Sequence, residues 1–154
     1  MGKIYDVHWQ GTYSYEEFEE LEHDPNLVLY SIYSTHPLYG RDVLVYIGKT
    51  LQGAKTRMSQ HAWWAKNESN PVIIYAASIG EFTTWEKWET IEEYPPISDS
   101  IISYIEELLI YSHQPAYNSR SINSVREGDN IRVMNTGKFG SLLPELSSLY
   151  YIGI

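Results

Sequence analysis

The sequence predicts an α+β fold: a small three-stranded antiparallel sheet flanked by helices. Two neighbouring runs, Leu27 to Ser34 and Val43 to Gly48, are rich in β-branched and aromatic residues and are separated by a Pro- and Gly-containing loop. A third run of the same kind spans Val72 to Ile79, and amphipathic helical patterns lie around these runs. With 154 residues, 43% of them hydrophobic, the chain suits a single domain with one core, residues 1–154.

Taken in order, Ser14-Tyr15-Glu16-Glu17 has capping-box spacing, and Tyr15, Phe18 and Leu21 recur at helical intervals until Asp24-Pro25 ends the pattern. Residues 1–26 therefore read as a peripheral, acidic, helical N-terminal extension. The first two strands follow, joined through Thr35 to Asp42, with Val28, Tyr30 and Ile32 on one face. From Gly53 to Lys66, Ala54, Met58, Ala62 and Ala65 form a helical stripe, with Arg57 and His61 one turn apart beside it. After the third strand, Thr83 to Glu93 reads as a short helix, and Pro95-Pro96 as a break. Trp63, Trp64, Trp85 and Trp88 could stack unpaired bases, but aromatic pairs at helical spacing usually pack a core, which is the expectation here. Ser98 caps a longer helix, in which Ile101, Ile102, Ile105, Leu108 and Leu109 make an apolar stripe. Glu106 falls at the edge of that stripe and Glu107 nearly opposite its centre. Residues 119–154 form a C-terminal extension with a hairpin expected around Asn135-Thr136-Gly137.

The formal net charge is −9, which excludes a protein that coats nucleic acid by bulk electrostatics. Its distribution is uneven. Residues 1–40 carry one base and seven acids, 41–66 five bases (Arg41, Lys49, Lys55, Arg57, Lys66) and one acid, and 67–107 one base and nine acids. The chain has no Cys, so a disulfide framework, a Cys-based zinc site and a thiol nucleophile are excluded. His8, His23, His36 and His113 lack zinc-ligand spacing. The N-terminus lacks the apolar stretch of a signal peptide, and no run is long and apolar enough to span a bilayer. The expected location is the cytoplasm, with no membrane partner.

Tyr30 in the first strand, Tyr46-Ile47-Gly48-Lys49-Thr50 closing the second, Arg57 and His61 on the next helix, and Glu106-Glu107-Leu108-Leu109-Ile110 followed by His113-Gln114-Pro115-Ala116-Tyr117-Asn118 resemble the GIY-YIG nuclease domain. The resemblance covers residues 27–118, and its last part is especially similar to the bacterial excision-repair incision nuclease. Two other tripeptides imitate the motifs by coincidence. Tyr151-Ile152-Gly153 has no helix after it, and Gly11-Thr12-Tyr13 precedes a helix and lies too far from Tyr46. The first motif reads Val28-Leu29-Tyr30, without the family's leading Gly.

The resemblance implies a stand-alone, metal-dependent endonuclease that hydrolyses DNA phosphodiester bonds, in restriction, phage or repair processes. Its catalytic residues would be Tyr30, Tyr46, Lys49, Arg57, His61 and Glu106, with Gly48 and Asn118 as motif residues. Tyr30 is implied as general base; a phenol of ordinary pKa is only about one part in 10³ ionised at neutral pH, so Lys49, Arg57 and the metal must favour the phenolate. Arg57 can fork onto the phosphate. Tyr46 and His61 would orient water or phosphate, with His61 a proton relay. Glu106 would hold one Mg²⁺, for which Mn²⁺ could substitute. The implied partner is DNA, with target choice coming from loops such as Thr35 to Asp42, from residues 119–154, or from a homodimer or a protein partner. The rival expectation is a catalytically inactive module of the same fold that binds nucleic acid or protein.

Overall fold

The computed structural model describes residues 2–20, 26–50, 72–86, 95–118, 121 and 130–150. The helix expected at 53–66, with Arg57 and His61, lies outside the described residues, as does most of the short helix expected at 83–93. The described chain forms β1 (Lys3–Tyr13), α1 (Tyr15–Glu19), β2 (Leu29–His36), β3 (Gly40–Lys49), β4 (Ile73–Phe82), α2 (Asp99–His113), β5 (Ile131–Gly137) and β6 (Glu145–Ser147), then a 3₁₀ turn at Ser148–Tyr150.

The fold class expected from the sequence is corrected. All six strands join one mixed sheet in the order β3-β2-β4-β1-β5-β6, which curls into a half-barrel. Only α1 and α2 are α-helices longer than two residues among the described residues. The three expected strands are present as the antiparallel set β3-β2-β4, yet they are half of the sheet. The overlooked element is β1. It pairs antiparallel with β4 and parallel with β5, so neither of its edges is left to solvent. An α+β reading that stops at β4 leaves a row of peptide N–H and C=O groups unpaired along that strand's second edge.

The sheet separates two apolar layers. On one face, Tyr5, Val7 and Trp9 of β1, Leu29 of β2, Ile47 of β3 and Ala77 of β4 pack with Ile102, Ile105, Leu108 and Leu109 of α2. The apolar stripe read from the sequence is thus the buried side of α2. Ser98 caps it, its Oγ accepting from the Ile101 N–H at 3.3 Å. Gln114 ends it in the left-handed region, at φ 50°. On the other face, Phe18 of α1 packs with Tyr30, Ile32, Val45, Ile74 and Ala76. The capping box at Ser14 is formed in both directions, since Ser14 and Glu17 each accept the other's backbone N–H. The expected hairpin at 135–137 is displaced. β5 runs through Asn135 to Gly137, and the return strand β6 begins only at Glu145. Trp85 is 72% exposed and meets Phe82 edge-on, so it is no core residue. No helix among the described residues is long and apolar enough to cross a membrane.

His113 fastens the end of α2 to the β5–β6 loop. Its Nδ1 donates to the Leu109 carbonyl at 2.8 Å, and its Nε2 accepts from the Leu143 N–H at 2.8 Å. That geometry requires the neutral ring. Burial pushes its pKa below the ordinary 6.5, and the Leu109 hydrogen bond opposes the shift only in part. A depressed histidine pKa means that the unfolded chain takes up the proton first. The contribution is therefore complete above about pH 6.5 and is lost as pH falls toward the folded value. Urea midpoints measured across this range should fall for the wild type more steeply than for His113→Gln; parallel curves would show that His113 does not titrate with unfolding.

Candidate active site

In the β2–β3 pairing, Tyr30 stands directly opposite Gly48, so both project to the same face. The phenol lies across the glycine. A Cβ at Gly48 would come within 2.6 Å of both Cζ and Oη of Tyr30 and 2.8 Å of Cε1 of Tyr46. The missing side chain at Gly48 is therefore the space that the Tyr30 ring occupies, and it carries that ring from β2 onto β3 at the sheet edge. Tyr46, two residues before Gly48 and opposite Ile32, stacks on Tyr30 with ring centroids 5.8 Å apart. Phe18 approaches Tyr30 at 5.3 Å. Tyr30 is completely buried, hydroxyl included.

Lys49 is one residue on and projects to the opposite face. Its Nζ donates to Ser103 Oγ at 2.7 Å, which places the ammonium on α2 one turn before Glu106 and Glu107. Glu106 is only 5% exposed, deeper than its place at the edge of the stripe suggested. A carboxylate at that depth needs polar or cationic company, and Lys49 brings a cation to this stretch of the helix.

Asn118 closes the edge. Its Oδ1 accepts from the Ile47 N–H at 2.9 Å and its Nδ2 donates to the Ile47 carbonyl at 3.0 Å. One residue earlier, the Tyr117 N–H donates to the Val45 carbonyl at 2.7 Å. The segment after α2 thus pairs with β3 like a fragment of a seventh strand.

The structure brings Tyr30, Tyr46 and Gly48 together on one face. It sets Lys49 and the Glu106-bearing helix over the other, and fastens Asn118 at the edge between them. Arg57 and His61 lie outside the described residues. Ser103 was not singled out from sequence, its one available signal being its spacing of one helical turn before Glu106, and Tyr117 entered only as part of the quoted motif. Among the described residues no group of three or more His, Asp or Glu side chains gathers as a metal cage. No family model, curated protein or solved structure matches the chain.

Gly48→Ala should displace both tyrosine rings and cost about 1–3 kcal/mol of stability; an unchanged denaturation midpoint would contradict the placement of Tyr30 over Gly48. Asn118→Ala strips both partners from the Ile47 peptide groups, for an expected loss of about 1–3 kcal/mol. Amide exchange at Ile47 should accelerate in that variant, whereas wild-type protection would show that the edge is held by something else.

Proposed function

We propose that this chain is a metal-dependent endonuclease that hydrolyses DNA phosphodiester bonds. The observation that carries the reading is the seating of Tyr30 over Gly48 with Tyr46 stacked beside it, Lys49 following at once, and Asn118 bonded to Ile47. The motif residues of the two strands and of the post-helical segment thereby meet at one sheet edge, from positions up to 88 residues apart in sequence (Tyr30 to Asn118).

In this reading the Tyr30 phenolate takes a proton from water, the water oxygen bonds to phosphorus, and the bond from phosphorus to the 3′ oxygen breaks. Arg57 would fork onto the phosphate and favour the phenolate, whereas Lys49, on the opposite face, would keep company with Glu106. Tyr46 and His61 orient the water. Glu106 is a hard oxygen donor of the kind that would hold Mg²⁺. When bound there, such an ion would supply positive charge for the departing 3′ oxygen. Phe18 and Tyr46 cover the phenol, and α2, which bears Glu106, packs on the opposite face of the sheet, so this reading requires both to rearrange when DNA binds.

The complete burial of Tyr30 also supports a second reading, a non-catalytic module that binds nucleic acid or protein. Supercoiled plasmid, single-stranded DNA and branched DNA incubated with Mg²⁺ or Mn²⁺ separate the two. The nuclease reading expects cleavage that EDTA abolishes and that Glu106→Gln and Tyr30→Phe each lower by about 10²-fold or more. Cleavage by both variants at the wild-type rate would remove the catalytic assignment, and an inert wild type would favour the module.

A further inference from the structure

Each of the three histidines among the described residues bonds through a ring nitrogen, and two of them accept a peptide N–H. Nδ1 of His36 accepts the backbone N–H of Leu38 at 3.0 Å and of Tyr39 at 3.2 Å, which leaves the ring proton on Nε2. His113 has the reverse tautomer, donating from Nδ1 to the Leu109 carbonyl while Nε2 accepts the Leu143 N–H, both at 2.8 Å. At His8 the Thr136 hydroxyl donates to Asp6 at 2.6 Å, so its oxygen receives the Nδ1–H of His8 at 3.1 Å. His8 therefore gains a proton on Nε2 and keeps its bond. His36 and His113 cannot, because an imidazolium has two N–H groups and no acceptor.

The two accepting rings lie at one end of the sheet. β4 is antiparallel to both β2 and β1, and β1 is parallel to β5, so the turn after His36 and the loop after Gly137 leave from the same end. Contacts join them there. Tyr33, three residues before His36, accepts the Ser141 N–H of the β5–β6 loop at 3.0 Å. Tyr117, four residues after His113, sets its ring 5.8 Å from that of His36, beside the Asn118 that closes the edge of β3. His36 also stacks on Tyr39, with centroids 4.6 Å apart.

We propose that His36 and His113 form a proton-operated latch, closed while both rings are neutral, through which acidification releases the β2–β3 turn and the β5–β6 loop without unfolding the sheet. Protonation turns each accepted hydrogen bond into two N–H groups facing one another. The strand ladders use none of these bonds. Against His36 stand the Tyr39 and Tyr117 rings, with Arg41 and Asp42, one charge of each sign, on the strand it pairs with. Against His113 stand the Ser112 hydroxyl at 2.9 Å, the Leu109 carbonyl and the Leu143 amide. Of the charged groups in and beside the loop, Lys138 is held by the Gly11 carbonyl and Glu145 by Arg132. Tyr33 stays neutral, since burial pushes its pKa above 10. Burial pushes His113 below 6.5, so the loop opens under that pH. The latch does not depend on the nuclease reading.

NMR of the full chain over a pH series from about 8 to 4.5 spans the range in which histidines change charge and tests the latch. At the alkaline end, imidazole nitrogen shifts should show Nε2–H at His36 and Nδ1–H at His113. On acidification the amide protons of Leu38 and Tyr39 should move upfield with the His36 titration, and that of Leu143 with His113. Amide exchange at Leu143, corrected for the intrinsic pH dependence, should accelerate by about 2- to 10-fold, while Ile32 and Ile74 in the ladders keep their protection. His36→Asn supplies an acceptor oxygen at any pH and should hold the turn closed throughout, whereas His36→Ala should leave it open throughout. Thermal melts confirm that each variant is folded. His8 is the internal control, since its titration should leave all three amides in place.

Amides of Leu38, Tyr39 and Leu143 that hold their shifts while His36 and His113 titrate would overturn the latch. The opposite tautomer at either ring would do the same, as would an unchanged acid response of the turn in His36→Asn. Release of one segment without the other anywhere in the range would break the pairing and overturn it. Loss of protection in turn, loop and ladders at a single midpoint would be global acid unfolding, and would also remove the latch.

Discussion

Hydrogen bonding along both edges of β1 is the constraint on which the architecture depends. Antiparallel pairing with β4 attaches it to the β2–β3 hairpin, and parallel pairing with β5 brings in the C-terminal strands. Side chains reinforce the second seam. The Trp9 indole donates to Asn135 Oδ1 at 2.9 Å, while Asn135 Nδ2 donates to the Leu143 carbonyl at 2.8 Å. Thr136 donates to Asp6 at 2.6 Å and contacts His8 on the outer side of the same seam. Burial there pushes the Asp6 carboxyl above its ordinary value, opposed by the Thr136 hydrogen bond and by His8. A seam between segments some 126 residues apart cannot form early in folding, because loop closure precedes any reward from the contact.

The other end of the sheet is governed by a steric constraint and an edge. Gly48 leaves room for one ring, and Tyr30 fills it. β3 is the outermost strand, and its peptide groups at Val45 and Ile47 are paired by Tyr117 and Asn118 rather than by a further strand. A side-chain amide that both donates and accepts imitates a backbone amide, so a single asparagine closes an edge that would otherwise be a template for aggregation. The same closure ties the segment after α2 to the hairpin, and through Tyr117 and His36 to the turn.

Charge and shape divide the molecule in a related way. The acids concentrate before residue 41 and between 67 and 107, and the bases between 41 and 66. Lys49 is drawn inward to Ser103 at the foot of α2, whereas Arg41 stays exposed at the turn.

Much of the local structure was legible in the residues. The capping serines Ser14 and Ser98, the buried stripe of α2, and the strands β2, β3 and β4 follow from side-chain chemistry acting over a few positions. The alternation Tyr5-Asp6-Val7-His8-Trp9-Gln10 was equally legible as a half-buried strand, though weight given to the acidic helix after it hid the pattern. Within the candidate site, Tyr30, Tyr46, Gly48, Lys49, Glu106 and Asn118 were marked in the sequence only by their resemblance to the GIY-YIG motifs. Tertiary structure alone decided which face each occupies, that Glu106 sinks to near-complete burial, that Asn118 pairs with Ile47, and that β1 sits between β4 and β5. Periodicity is a property of neighbouring side chains, written residue by residue. Partner choice between distant strands is settled by the total area buried and the peptide groups satisfied, which no short window of sequence contains.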